Sequence, residues 1–319
     1  MQGQPAITTP SRSDRLLGGL WGSLVGDALG VPVEFMERSE VQADPVAHMR
    51  GYGTYELPPG TWSDDGALLL CSADSLCHAE FDLTDMGDRF VRWLRQDLWT
   101  ATGEMFDVGL TTRAALSRIG QGTPAAQAGA QTEDTNGNGS LMRILPVALR
   151  FAGQPMAVFA ARLEAASAIT HAHALSRMAC VFYGLVIRQL LAGHPPAAAL
   201  ATARAEFTAW YAASPSLPSF TPVLQDDLAT LPSDRVKSDG FVLNTLHASL
   251  WCLLQTQNFH DCVLTAVNLG GDTDTTGCVA GGLAGVAYGL PAIPAEWLAT
   301  LPRQADVQAL FNDFTQRCA

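Results

Sequence analysis

Apolar residues recur at three- and four-residue spacing along nearly the whole chain, while sustained period-two alternation is hard to find, so the pattern predicts helices and no sheet. Start signals divide it into segments. Asp14 opens a helix to about Leu29, Ser63 one from Asp64 to about His78, and Thr84 or Asp85 one toward Leu98. Further helices fall near Gly109–Ile119, Ser140–Phe151, Met156–Ile169, Ala174–Leu191, Ala197–Tyr211, Phe241–Gln255, Asp261–Asn268, Thr275–Tyr288 and Ala305–Arg317. The connections Val31–Gly60, Gly120–Gly139 and Ser214–Lys237 are rich in Gly, Asn and Pro, and none has the length and monotony of an interdomain linker. The expected fold is all-α: one compact helical domain over residues 14–319, preceded by a flexible polar tail, Met1–Ser13.

One stretch tests the expectation of a water-soluble core. Thr275–Ala295 holds no charge and carries Gly277, Gly281, Gly285 and Gly289 at four-residue spacing, which fits a membrane dimerisation face or a core helix approached closely by another backbone. Five glycines and two prolines dilute its hydrophobicity, and no second candidate span stands out, so the core helix is the expected reading.

Composition agrees with a large core, since 48% of the 319 residues are apolar and only 16% charged. Nineteen Lys and Arg against 31 Asp and Glu leave a net charge of −12, which disfavours a grip on nucleic acid or anionic lipid. Seven cysteines show neither a CxxC pair nor zinc spacing, and the tail lacks a signal-peptide pattern. Buried thiols in a reducing cytoplasm are expected.

The acidic residues concentrate where helices start. Asp64 and Asp65 follow Ser63 directly, and adjacent carboxylates need open solvent, a helix N-terminus or a cation. A second cluster, Gly270-Gly271-Asp272-Thr273-Asp274-Thr275, again mixes carboxylate with hydroxyl before a helix; oxygen-only sets suit hard cations such as Mg²⁺ or Mn²⁺. Glu34, just past a helix end, is either a loop carboxylate or a general base facing the same cleft. The loop Asn136-Gly137-Asn138-Gly139-Ser140-Leu141-Met142-Arg143 is either an Asn-Gly turn with a Ser140 cap or a phosphate cradle. His171, at a helix junction, is either structural or a ribose- or phosphate-contacting residue.

Taken in order, Gly22–Phe35, Thr61–Gly66, Asn136–Arg143, Thr170–His173, Lys237–Phe241 and Asn268–Gly277 resemble the ADP-ribosylglycohydrolase family. The resemblance implies an orthogonal helix bundle with two Mg²⁺ or Mn²⁺ ions in a cleft, acting as a metal-dependent hydrolase on the bond between ADP-ribose and a protein or small-molecule acceptor. It assigns Ser63, Asp64, Asp65, Asp272, Asp274 and Thr275 to the metals, and Glu34 with Asp65 to catalysis. It assigns Asn136, Gly137, Asn138, Gly139, Ser140, Met142 and His171 to ADP-ribose, and sets Asp107 toward a guanidinium leaving group. Two positions depart from the family pattern. Gly66 replaces a frequent Thr, implying a looser helix start, and Leu110 stands where arginine-directed members tend to carry Asn, which leaves arginine, serine and small-molecule acceptors all open, with nucleic acid least favoured by the charge. A cytoplasmic monomer is expected, with a non-catalytic ADP-ribose-binding or crystallin-like member as the alternative.

Overall fold

The first helix, Arg12–Gly30, and the Thr273–Tyr288 helix run antiparallel through the middle of the molecule at a separation only glycine permits. A β-carbon on Gly18, Gly22, Gly26 or Gly30 would lie 2.4, 2.4, 1.9 or 2.4 Å from backbone atoms of the partner at Gly285, Gly281, Gly277 and Asp274. Four-residue steps along one helix meet four-residue steps along the other, so two stripes of hydrogen atoms face each other. The stripe in Thr275–Ala295 is thus a packing seam within the protein. Arg15, buried in the first helix, donates to the carbonyls of Val286 (2.9 Å) and Ala287 (2.7 Å), satisfying the far end of its partner.

The computed structural model describes residues 9–78 and 80–318. Among these, helices of every length build one domain around a continuous apolar core, with two isolated β-bridges and no strand. The Ala174–Leu191 helix packs against Leu145–Phe151, Met156–Ala168, Pro196–Trp210, Val242–Gln255 and Thr273–Tyr288; Asp64–His78 and Gln304–Arg317 close the opposite side. All seven cysteines are free and buried.

Several sequence expectations shift. Ser11, not Asp14, caps the first helix: its hydroxyl accepts the Asp14 N–H (3.1 Å) while the Asp14 carboxylate accepts the Ser11 N–H (3.0 Å), a reciprocal capping box. Helix therefore begins at Arg12, inside the stretch expected as tail; Met1–Thr8 lies outside the described residues. Asp82 caps the Leu83–Gln96 helix through Thr84 and Asp85. The helix expected from Ser140 starts at Leu145, because Asn138–Ile144 folds into successive turns. Short helices such as Arg38–Ala43, Thr221–Gln225 and Ala295–Thr300 occupy segments read as connections or left unread. Among the described residues two helices are long and apolar enough to cross a membrane, where no candidate besides the glycine-rich stretch was expected, and the glycine-rich helix is not one of them. They are Arg12–Val33 and Ala174–Leu191, both mostly buried inside the protein.

Candidate active site

Four segments bring carboxylates to the end of the central helix pair. The first helix supplies Asp27, which is fully buried and whose carboxylate accepts the backbone N–H groups of Ser63 (3.0 Å) and Gly66 (2.7 Å). Asp27 thus caps, across the chain, the helix that presents Asp64 and Asp65. Gly66 is a tight fit and not a loose start: a β-carbon there would lie 2.8 Å from the Asp27 carboxylate and 2.9 Å from Trp62. The Ser63 hydroxyl accepts the Asp65 N–H at 3.2 Å, as a helix cap does.

Beyond Gly30 the chain turns through Val31–Val33 and delivers Glu34, only 4% exposed. Phe35 then adopts a left-handed backbone (φ 64°), and the segment is laced to the second acidic loop. Phe35 N–H donates to Gly271 O (2.7 Å), Gly271 N–H to Met36 O (2.8 Å), and the Thr273 hydroxyl to Gly30 O (2.8 Å). The result places carboxylate oxygens of Glu34, Asp272 and Asp274 all within 4.8 Å of one another. Glu34, expected as a water-activating base, therefore sits among the groups that could hold a cation. Asp65 approaches from the other side, its Oδ1 accepting the Thr275 hydroxyl at 3.5 Å.

Glu34, Asp64, Asp65, Asp107, Gly137, Asn138, Gly139, Met142, His171, Asp272 and Thr275 all line one cavity of about 250 Å³. Ser63 and Asp274 are buried behind that wall. Asn136 and Ser140 are not on it. The Asn136 amide is engaged with Glu133 O (2.9 Å) and the Ser176 hydroxyl (3.0 Å), and Ser140 accepts from Ser167 (2.9 Å). The Asn138 amide donates to Asp272 Oδ2 (2.8 Å) and Thr245 (2.9 Å), so it positions the acidic loop.

His171 is held by a buried chain. Arg143 donates to the Thr170 hydroxyl (2.7 Å), which lies 2.8 Å from His171 Nδ1. Burial and the Arg143 charge push the imidazole down to about 3, so it is neutral. With the hydroxyl accepting from Arg143 and donating its one proton to Nδ1, this network assigns the remaining proton to Nε2, beside Gly137 and Gly139. The N–H groups of Gly137, Gly139 and Ser140 meet no protein acceptor among the described residues.

Three residues that bear on the site carried no sequence signal as site residues: Asp27, Tyr55 and Phe35. Tyr55 packs on Phe106 (5.0 Å between rings), and its hydroxyl favours the charged forms of both Glu34 and Asp107. Its own burial, and then the nearby carboxyls, hold Tyr55 protonated. Phe35 and Leu110, 66% and 85% exposed, border the same cavity.

Seven carboxylates so close are electrostatically unfinished. Burial first, and mutual repulsion second, push Asp64, Asp65 and Asp274 well above the usual range. Asp27 rises to about 7 and Glu34 to about 9. Glu34 Oε2 and Asp65 Oδ2 are buried without a hydrogen-bond partner. Deep, unpartnered acceptors of this kind fit a divalent cation, which would supply the missing positive charge. A stability test follows from the direction of these shifts. The folded, metal-free protein holds these protons more tightly than the unfolded chain. This contribution is intact below about pH 4 and lost as pH rises through 7 and 9, by an amount on the order of several kcal/mol. Urea titrations of the chelated protein should therefore show a falling midpoint from pH 5 to pH 9, and added Mn²⁺ should restore it most at pH 8. A midpoint level across that range would refute the picture of uncompensated buried charge.

An all-helical domain that concentrates carboxylates at three helix ends, opposite a glycine loop with free N–H groups, presents an acid-lined cleft able to take a cation beside an anionic ligand. The chain belongs to the ADP-ribosylglycohydrolase family, whose sequence pattern it matches over residues 8–319. It is 32% identical to the ADP-ribosylarginine hydrolase Tri1 of Serratia proteamaculans, over 96% of this chain and 80% of that protein. It is 33% identical to the ADP-ribosyl-[dinitrogen reductase] glycohydrolase of Rhodospirillum rubrum, over 94% of each. A solved structure described as an ADP-ribosylglycohydrolase-related protein complex superposes with a TM-score of 0.82 at 34% identity, covering 97% of this chain and 99% of that one.

Proposed function

We propose that the protein hydrolyses the glycosidic bond joining ADP-ribose to an acceptor, in a reaction that depends on two divalent ions, Mg²⁺ or Mn²⁺. The observation that carries this reading is the cavity that Glu34 and Asp272 line opposite the Gly137–Gly139 loop, with the Asp274 carboxylate grouped behind them. Ser63, Asp64, Asp65, Asp272, Asp274 and Thr275, joined by Glu34, would hold the ions. When bound, they supply positive charge that orients ribose hydroxyls and lowers the pKa of a water.

The remaining work falls to the chain itself. Glu34, buried at the cavity wall and held deprotonated by the ions once they are bound, would accept a proton from the attacking water as an oxocarbenium-like state develops at the ribose. Backbone N–H groups of Gly137 and Gly139 receive the diphosphate, which the acidic wall would otherwise repel. His171 Nε2–H donates to a substrate oxygen beside them, and Met142 packs against the sugar.

Asp107, backed by the Tyr55 hydroxyl, faces the departing group, and a guanidinium is the leaving group this carboxylate would match best. Leu110 beside it adds apolar contact in place of an amide. The seven buried free cysteines suit a reducing cytoplasm.

Purified protein with Mn²⁺ or Mg²⁺ should release ADP-ribose from a panel of arginine- and serine-linked substrates, fastest from arginine. Chelation or Asp272→Ala should reduce release to background. Equal rates for wild type and Asp272→Ala on every substrate would dispose of the catalytic claim.

A further inference from the structure

A second cavity of about 370 Å³ adjoins the first, and two basic side chains line it. Its walls include Asp226, Arg235, Lys237, Phe241, Asn244 and His247. The chain contains eighteen arginines and a single lysine, and that lysine is Lys237. Neither the Lys237 ammonium nor the Arg235 guanidinium meets an acceptor among the described residues. The nearby carboxylates are already engaged. Asp226 accepts from the buried His247 (3.0 Å), and Asp239 accepts the Phe241 N–H (3.0 Å) and the Asn244 amide (2.8 Å). In a protein of net charge −12, a recess lined by two uncommitted cations and one carboxylate, Asp226, keeps a net positive lining that favours an anion there.

The recess is fixed relative to the acidic centre. Arg38 clamps the carbonyls of Ser233 and Val236 (both 2.7 Å), and the Ser238 hydroxyl donates to Gly270 O (2.7 Å). Ser238 O in turn accepts the Asp272 N–H at 2.8 Å, so Lys237 is one residue from the loop that carries the acidic pair. Order along the cleft follows from these bonds. The acidic cluster borders the glycine loop through Asn138 and Asp272. That loop is tied to the next segment by Asn138 N–H to Gly240 O (3.1 Å) and Val242 N–H to Asn136 O (3.0 Å). Gly240 lines the first cavity and Phe241 the second. A ligand with its reacting ribose at the acids and its diphosphate on the glycine loop must direct its adenosine toward Phe241. Anything attached beyond that adenosine reaches Lys237 and Arg235.

Building on the proposed function, we infer that this second cavity binds a phosphate group carried by the substrate beyond its adenosine ribose. Lysine supplies a mobile point charge and arginine a forked donor, a pair suited to a phosphate without fixed orientation. Two sources share that chemistry: a 2′-phosphate on the adenosine, or the diphosphate of a further unit in an ADP-ribose chain.

Calorimetry on the Mn²⁺-loaded full chain separates these with three probes: ADP-ribose, 2′-phospho-ADP-ribose and a two-unit ADP-ribose chain. At least one phosphate-extended probe should bind about five- to twentyfold more tightly than ADP-ribose, the scale of one or two charge-assisted contacts. In the Lys237→Ala/Arg235→Ala double variant, both residues being exposed, that ratio should fall to near one. A gain confined to one extended probe identifies the source. If ADP-ribose binds and neither extension adds affinity, or the ratio survives the double substitution, the inference fails while the proposed function stands. If ADP-ribose itself does not bind, both fail.

Discussion

Asp274→Asn should abolish turnover and at the same time make the metal-free protein harder to unfold. Asp274 is 1% exposed, and burial followed by the charges of Glu34, Asp65 and Asp272 raises its pKa well above the ordinary value. Asparagine keeps the shape and an oxygen to accept the Thr275 N–H, now bonded at 2.8 Å, yet removes the charge. Release of ADP-ribose should drop on the order of a thousandfold, the scale of losing one preorganised group that stabilises charge. Unfolding of the chelated variant should cost about 1–3 kcal/mol more than wild type, the usual penalty of a buried group left without a partner. The rise in Tm on adding Mn²⁺ should shrink correspondingly. Asp88→Asn, at an exposed helix position, serves as the comparison and should change stability by no more than about 0.5 kcal/mol. Lower metal-free stability in Asp274→Asn, or activity near wild type, would contradict a centre that trades stability for cation binding.

The same trade explains which parts of the site are legible in the sequence. Carboxylate pairs beside hydroxyls at helix starts announce themselves, because Asp64-Asp65 and Asp272-Thr273-Asp274 violate ordinary charge spacing within a few residues. Asp27 gives no such signal. Its partners, the N–H groups of Ser63 and Gly66, lie more than 35 positions away, so only the fold reveals that one carboxylate orients the next two. Glu34 is legible as an acid near the site, but its grouping with Asp272 and Asp274 depends on the Phe35–Gly271 and Gly271–Met36 hydrogen bonds. Gly66 misleads for a related reason. A glycine at a helix start reads as slack, whereas here it is the only residue that lets Leu24, Trp62 and Asp27 close around it. Ser140 misleads in the opposite sense: it looks like a helix cap, yet its hydroxyl faces Ser167 and the chain stays in turns until Leu145. Helical periodicity, by contrast, survives almost everywhere, since it reflects which face of each segment meets the core.

Gly26→Ala should be among the most damaging single methyl groups in the described protein. Alanine improves intrinsic helix propensity by about 1 kcal/mol over glycine, so an isolated helix would gain from it. In the folded chain the added carbon would lie 1.9 Å from the Gly277 carbonyl oxygen and 2.4 Å from its carbon, and a helix backbone cannot yield there as a side chain does. The two helices would have to part by roughly 1 Å, far more than a close-packed interior absorbs without loss. Separation would also pull Asp27 and Glu34, on the first helix and its turn, away from Asp274 on the second. The expected cost exceeds about 4 kcal/mol, in the range reserved for gross overpacking. Two further variants make the result interpretable if Gly26→Ala does not fold. In Gly19→Ala the new carbon meets a Val286 methyl at 2.6 Å, a side chain that can rotate, so destabilisation of about 1–3 kcal/mol is expected. In Gly153→Ala it meets nothing within 4 Å, and stability should stay within about 1 kcal/mol of wild type. Urea unfolding should rank the three in that order. Were Gly26→Ala to unfold at the wild-type midpoint and still bind Mn²⁺, the contact between the two glycine stripes would not be what sets the geometry of the acidic centre.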